Sequence, residues 1–169
     1  MLAGGLLRSE GARAPAETSS FNSSATANEE SAIRGVMASY NDALNMGSTD
    51  AALMLYAEDG VFMPPYSPSA VGKEAVRRAY DKVFQELKFD VKFTIAELVV
   101  MAPNWAYVRT NSAGATGHAS TGKTTAEANQ ELFIFRKGGG GAWRIARYSF
   151  SPTNPPSAEF AVDACRKED

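Results

Sequence analysis

Residues 117–124 read GHASTGKT, which matches G-x-x-x-x-G-K-[ST], the spacing with which a nucleotide-binding loop cradles phosphate. Other groups able to do acid–base or hydrogen-bond chemistry are Tyr40, Tyr56, Tyr80 and Tyr148, the carboxylates Asp59 and Glu131, and the chain's one histidine, His118. Tyrosine hydroxyls and a protonated carboxyl donate to a carbonyl or enolate oxygen. An ionised carboxylate or a histidine takes a proton. Which of these groups meet depends on the elements that carry them.

The phosphate-loop match does not have the surroundings it needs. Such a loop must follow a strand and open a helix, so that backbone N–H groups and the helix dipole face the phosphates. The segment after it, TTAEANQELFIFRK, starts with two β-branched threonines and ends in LFIF, a strand composition. No βαβ alternation surrounds it, and no apolar strand ending in Asp follows to help with magnesium. The segment reads as a polar hairpin loop, with no nucleotide expected and with His118 and Lys123 at most near a pocket rim.

The 169 residues suit one domain with its own core. Net charge is −2 and no basic stripe stands out, so neither nucleic acid nor an anionic membrane is an expected partner. No apolar run is long enough to span a bilayer. The apolar start MLAGGLL ends at Arg8, at the short limit of the roughly 7–15 residues of a secretory segment. The single cysteine, Cys165, allows no internal disulfide, and no Cys/His cluster suggests zinc. A cytoplasmic location with no metal and no cofactor is expected.

Residues 1–27 are rich in Ala, Ser, Gly, Thr and Asn and read as a disordered tail, as do residues 153–169, which leaves 28–152 as the folded part. Ile33, Val36, Met37, Tyr40 and Leu44 recur at helical spacing over 29–46, and Gly47 stops that helix. Ser48 or Thr49 caps a short helix through Tyr56. GVFMPP is a brief strand ended by Pro64 and Pro65. A second long helix over 72–87 has Val76, Tyr80, Val83, Phe84 and Leu87 on its stripe. Strands follow: FDVKFTI with period two, WAYVRT after Pro103-Asn104, then a small-residue loop. ELFIFRK and WRIARYSF form a pair joined by the tetraglycine 138–141. Helices followed by strands indicate an α+β fold with helices on one face of an antiparallel sheet.

This order, together with YAEDGVFMPP, GKEAVRRAYD, EANQELFIFRK and WRIARYSF, resembles the nuclear-transport-factor-2-like superfamily. Within it the words are similar to the SnoaL-like group of SgcJ/EcaC type, over about residues 30–152. The resemblance implies a cone: a curved antiparallel sheet wrapped around helices, with an apolar pocket, and in related folds a homodimer. Ketosteroid isomerase is a distant similarity. It places that enzyme's oxyanion-hole tyrosine on Tyr40, two supporting tyrosines on Tyr56 and Tyr80, its neutral carboxylic acid on Glu131, and its catalytic base on Pro64. That enzyme's acid is a known case of a carboxyl kept protonated. Proline has no proton-accepting group, so isomerisation by that route is closed here.

Each assignment has an alternative. Tyr40 and Tyr80 suit a pocket or a core with satisfied hydroxyls. Glu131 shares a strand face with Asn129, Phe133 and Phe135, and either points into the pocket with a raised pKa or pairs with Arg109 or Arg147. Asp59 is a base candidate whose local hydrogen bonds are the simpler role. Tyr40 and Glu131 are thus the expected catalytic pair. Tyr56, Phe62, Pro64, Tyr80, Phe84, Asn129, Phe133 and Tyr148 are the expected ligand-binding set. The expected function is binding of a small apolar, carbonyl-bearing molecule, with isomerase- or cyclase-type catalysis, non-catalytic binding and a dimerisation module as competing versions.

Overall fold

A computed structural model of the chain describes residues 17–154, with side chains from residue 24. The elements are α1 (Glu17–Met46), α2 (Thr49–Met54), β1 (Tyr56–Met63), β2 (Ala70–Val71), α3 (Lys73–Glu86), β3 (Leu87–Ala102), β4 (Trp105–His118), β5 (Thr124–Lys137) and β6 (Trp143–Pro152). One curved, unclosed sheet has the order β2-β1-β6-β5-β4-β3. The fold is α+β, as expected. Strand pairing is antiparallel except between β1 and β6, which run parallel. That departs from the all-antiparallel expectation because the chain crosses from β1 to β6 through α3 and the three long strands.

Local chemistry accounts for most boundaries. The Ser48 side chain accepts the Ala51 N–H and caps α2. Gly47 has φ +64, a left-handed backbone conformation that suits the stop after α1. Pro103 and Asn104 form the two-residue turn between β3 and β4, and the glycines at 138–141 turn β5 into β6. GHASTGKT joins β4 to β5, with no helix after it.

Four expectations change. The first helix begins at Glu17 rather than 29, so residues 17–27 of the expected tail are helical; adding turns to an already nucleated helix is inexpensive. Residues 1–16 and 155–169 lie outside the described part. Thr153 and Asn154, placed in the C-terminal tail, bond through the Thr153 N–H and the Asn154 amide to the Ala128 and Ala126 carbonyls of β5. Tyr56 starts β1 instead of ending α2. The small-residue stretch NSAGATGH is strand: Gly114 lets β4 approach β3 so closely that a Cβ there would stand 2.1 Å from the Asp90 carbonyl oxygen.

The core lies between the helices and the concave sheet face. Ile33, Met37, Tyr40 and Leu44 of α1 and Val76 and Tyr80 of α3 are buried against Phe133, Phe135, Ile145 and Tyr148. β3 ends the sheet, so its free edge needs partners. Two asparagines of α1 supply them. Asn45 accepts the Val91 N–H at 2.9 Å and donates to the Val91 carbonyl at 2.8 Å, and Asn41 accepts the Phe93 N–H at 2.9 Å. Glu29, near the middle of α1, accepts from Lys137 and the Trp143 indole, tying the helix to the tetraglycine hairpin.

Replacing Asn45 with alanine leaves the Val91 N–H without its partner and the Val91 carbonyl with only the longer 3.3 Å bond from the Asn41 amide. The expected loss is about 2–4 kcal/mol of unfolding free energy. Urea denaturation checks it, and a change under about 0.5 kcal/mol would show the clamp to be incidental.

Candidate functional site

Two helices and a bent sheet leave a cavity of about 150 Å³ between them. The α1 stripe brings Tyr40 and Leu44 to it, α3 brings Tyr80 and Val83, and β1 brings Phe62, with Pro64 just beyond that strand. Phe89, Val91 and Phe93 come from the edge of β3 that the asparagines hold, and Tyr148 and Phe150 from β6. One wall is polar: Ser112 on β4 and Glu127 and Asn129 on β5.

Tyr40, Tyr80 and Tyr56 form one hydrogen-bonded chain. Tyr80 lies at its centre, with its hydroxyl 2.7 Å from that of Tyr40 and 3.0 Å from that of Tyr56. The Tyr148 ring meets that of Tyr40 edge to face, centroids 5.5 Å apart. Burial pushes all four phenols well above their ordinary 10.0. They are therefore protonated donors and not bases. Phe133 lies parallel to Tyr148, centroids 4.1 Å apart, and holds that ring in place.

The polar wall follows from strand register. Thr110 pairs with Glu131 and Ser112 with Asn129, all with side chains on the concave face. Glu131 is buried, and its two carboxyl oxygens accept from Thr110 and Ser112, each at 2.5 Å. Burial is the largest influence on its pKa and raises it above the ordinary 4.5, while the Ser112 and Thr110 hydroxyls oppose that. Glu127 accepts from Thr116 at 3.0 Å and from the Asn129 amide at 2.8 Å.

Of the residues expected at the site, Tyr40, Phe62, Pro64, Tyr80, Asn129 and Tyr148 line this cavity. Tyr56 supports it from behind through Tyr80. Phe133 is packed behind Tyr148. Phe84 faces a separate shallow cleft with His118 and Lys123, where the His118 ring bonds Thr125. Glu131 stands behind Ser112 and makes no ion pair with Arg109 or Arg147. Arg109 pairs instead with Glu97, and Arg147 donates to the backbone carbonyls of Asp59 and Ala146. Asp59 faces outward, where bonds from Arg136 hold its pKa below the carboxylate range.

Ser112 and Glu127 escaped the sequence reading. Ser112 fell in a stretch read as loop. Glu127 was within reach, because period two carried back from Asn129 gives it the same face. A larger hollow of about 470 Å³ lies outside the cavity, beside Lys73, Arg136 and Arg144. Lys73 and Arg136 there are already paired with Glu58 and Asp59. Among the described residues, no three His, Cys, Asp or Glu gather in a metal-holding group, and no helix is long and apolar enough to cross a membrane.

A family model described as a SnoaL-like domain matches residues 37–148. Among solved structures, a ketosteroid isomerase-like protein from Erwinia carotovora atroseptica is 37% identical, over 74% of this chain and 96% of that one, with a TM-score of 0.72. A conserved protein from Planctomyces limnophilus is 28% identical, over 74% and 98%, at 0.65. An NTF2-like protein with a cystatin-like fold from Novosphingobium aromaticivorans is 18% identical, over 86% and 96%, at 0.63, a likeness of fold alone. No curated protein matches the chain.

Two outcomes test this geometry. Tyr80→Phe removes the central hydroxyl and should cost about 2–4 kcal/mol, against about 1 kcal/mol for Tyr56→Phe at the chain's end; equal costs in urea denaturation would mean the hydroxyls do not act as a chain. For Glu131 the raised pKa means that the native state holds the proton more tightly than the unfolded chain. Its stabilising contribution is complete below the unfolded pKa and is lost as pH rises through the native one. Glu131→Gln cannot ionise, so its melting temperature relative to wild type should climb as pH rises above the ordinary 4.5. A difference that does not vary with pH contradicts the assignment.

Proposed function

Because the chain belongs to the SnoaL-like domain family, we propose that it binds a small, largely apolar molecule about one ring in size, carrying a polar substituent, in the cavity under Tyr40 and Tyr80. The observation that carries this reading is the cavity's division into aromatic walls and one polar wall, the usual make-up of a small-molecule site. Its volume limits the ligand. Ligand sites commonly span about 300–1,000 Å³, whereas an apolar cavity of roughly 150 Å³ accepts a single benzene ring.

Hydrogen-bond counting supports a polar substituent. Three hydroxyls in a chain have three protons and two internal bonds, so one proton remains to donate. Binding is favoured over the expected Tyr40–Glu131 catalytic pair. Tyr40 lines the cavity but Glu131 is already bonded behind Ser112, and Pro64, which also lines it, takes no proton.

Cyclohexanone should bind with a dissociation constant on the order of 1 mM or tighter, perturbing the ring signals of Phe62 and Tyr148 in NMR titration. A four-ring steroid ketone should not bind. Val83→Phe, which places a ring in the cavity, should abolish cyclohexanone binding. Steroid binding without cyclohexanone binding would refute the size argument.

A further inference from the structure

Along the polar wall, acceptors outnumber donors. Among the described residues, Glu127 is the one carboxylate lining the cavity, and no lysine, arginine or histidine lines it with Glu127. Its two bonds come from neutral partners, Thr116 and Asn129. Asn129 is 7% exposed. Its amide N–H₂ is committed to Glu127 at 2.8 Å and to the Ser112 hydroxyl at 3.3 Å. Its Oδ1 accepts a hydrogen bond from no described residue.

Turning the amide over does not relieve this. It would place Oδ1 against the Glu127 carboxylate, so charge sets the orientation. Ser112 cannot serve Oδ1 either, because its proton goes to Glu131. A buried acceptor without a donor bears its full desolvation cost until something supplies one. Beside it stands a carboxylate with no counter-charge in the cavity among the described residues.

We propose that the natural ligand is a small organic ammonium ion, one ring in size, whose N–H groups meet Asn129 Oδ1 and the Glu127 carboxylate. This rests on the cavity being a ligand site, as proposed above. An ammonium supplies several donors and a positive charge, an alcohol supplies one donor and no charge, and a ketone supplies neither. The aromatic residues, seven of the fifteen that line the cavity, keep the local dielectric low and strengthen the pairing of opposite charges. The negative ring faces of aromatic walls also suit a cation better than an anion. A carboxylate-bearing ligand is disfavoured for the same reasons: it would meet Glu127 and an acceptor.

Three probes of nearly one shape decide it: cyclohexylamine, cyclohexanol and cyclohexanone, titrated at neutral pH by NMR or calorimetry. Cyclohexylammonium should bind at least about tenfold more tightly than cyclohexanol, and cyclohexanol more tightly than cyclohexanone. Glu127→Gln should lower the amine's affinity at least about tenfold and leave cyclohexanone within about twofold. Cyclohexanone binding as tightly as the amine, or an amine affinity unchanged by Glu127→Gln, would overturn the inference while leaving the cavity as a binding site. Binding of none of the three would overturn the cavity reading itself, and this inference with it. The wild-type series alone is decisive if the variant does not fold.

Discussion

Four phenol hydroxyls are buried in this molecule, and each needs a partner away from water. An unpartnered buried hydroxyl costs a substantial part of a small domain's stability, so the elements carrying these tyrosines cannot move independently. Tyr40 comes from α1, Tyr80 from α3, Tyr56 from the start of β1 and Tyr148 from β6. Hydrogen bonds among Tyr40, Tyr80 and Tyr56 thus tie both long helices to β1, and the edge-on contact of Tyr40 with Tyr148 adds β6. The rings do the same by packing: Phe62 stacks near-parallel on Tyr80 and Tyr148, and Tyr40 meets Phe133 edge-on. The cavity is the space this framework leaves unfilled.

The far side of that space depends on an edge strand. β3 has a neighbour on one side only, and without Asn41 and Asn45 its outer backbone would face solvent or another chain. The asparagine side chains act as a short substitute strand. They also set the distance between α1 and β3, and so the placement of Phe89, Val91 and Phe93 across the cavity. Close contact of β4 with β3 at Gly114 belongs to the same arrangement. Gly114 pairs across β4 and β5 with Glu127, so no side chain crowds the carboxylate from that position.

Polarity in the site is segregated. Donors come from the tyrosine hydroxyls, and acceptors come from Glu127 and Asn129 of β5. The carboxyl that the isomerase resemblance singles out, Glu131, is satisfied by Thr110 and Ser112 and works from behind the wall by orienting Ser112. The carboxylate that lines the cavity is Glu127, four residues earlier on the same strand face. That wall is therefore acceptor-rich, which differs from the donor surface that a Tyr–Glu pair implies.

Periodicity and turn chemistry determined the elements, because those signals are local. The stripes through Tyr40 and Tyr80, the Ser48 cap, the Pro103-Asn104 turn and the tetraglycine hairpin all depend on neighbours in the chain. The same reasoning disposed of GHASTGKT, since a strand-forming segment follows it. Six of the expected site residues line the cavity for a related reason: their faces follow from period two or from helical spacing. Tertiary structure alone decided the rest. The parallel pairing of β1 with β6, the extension of β4 through NSAGATGH, the retreat of Glu131 behind Ser112 and the exposure of Glu127 to the cavity all depend on which strand lies beside which. Register between segments distant in sequence sets a side chain's partners, and no local pattern records it.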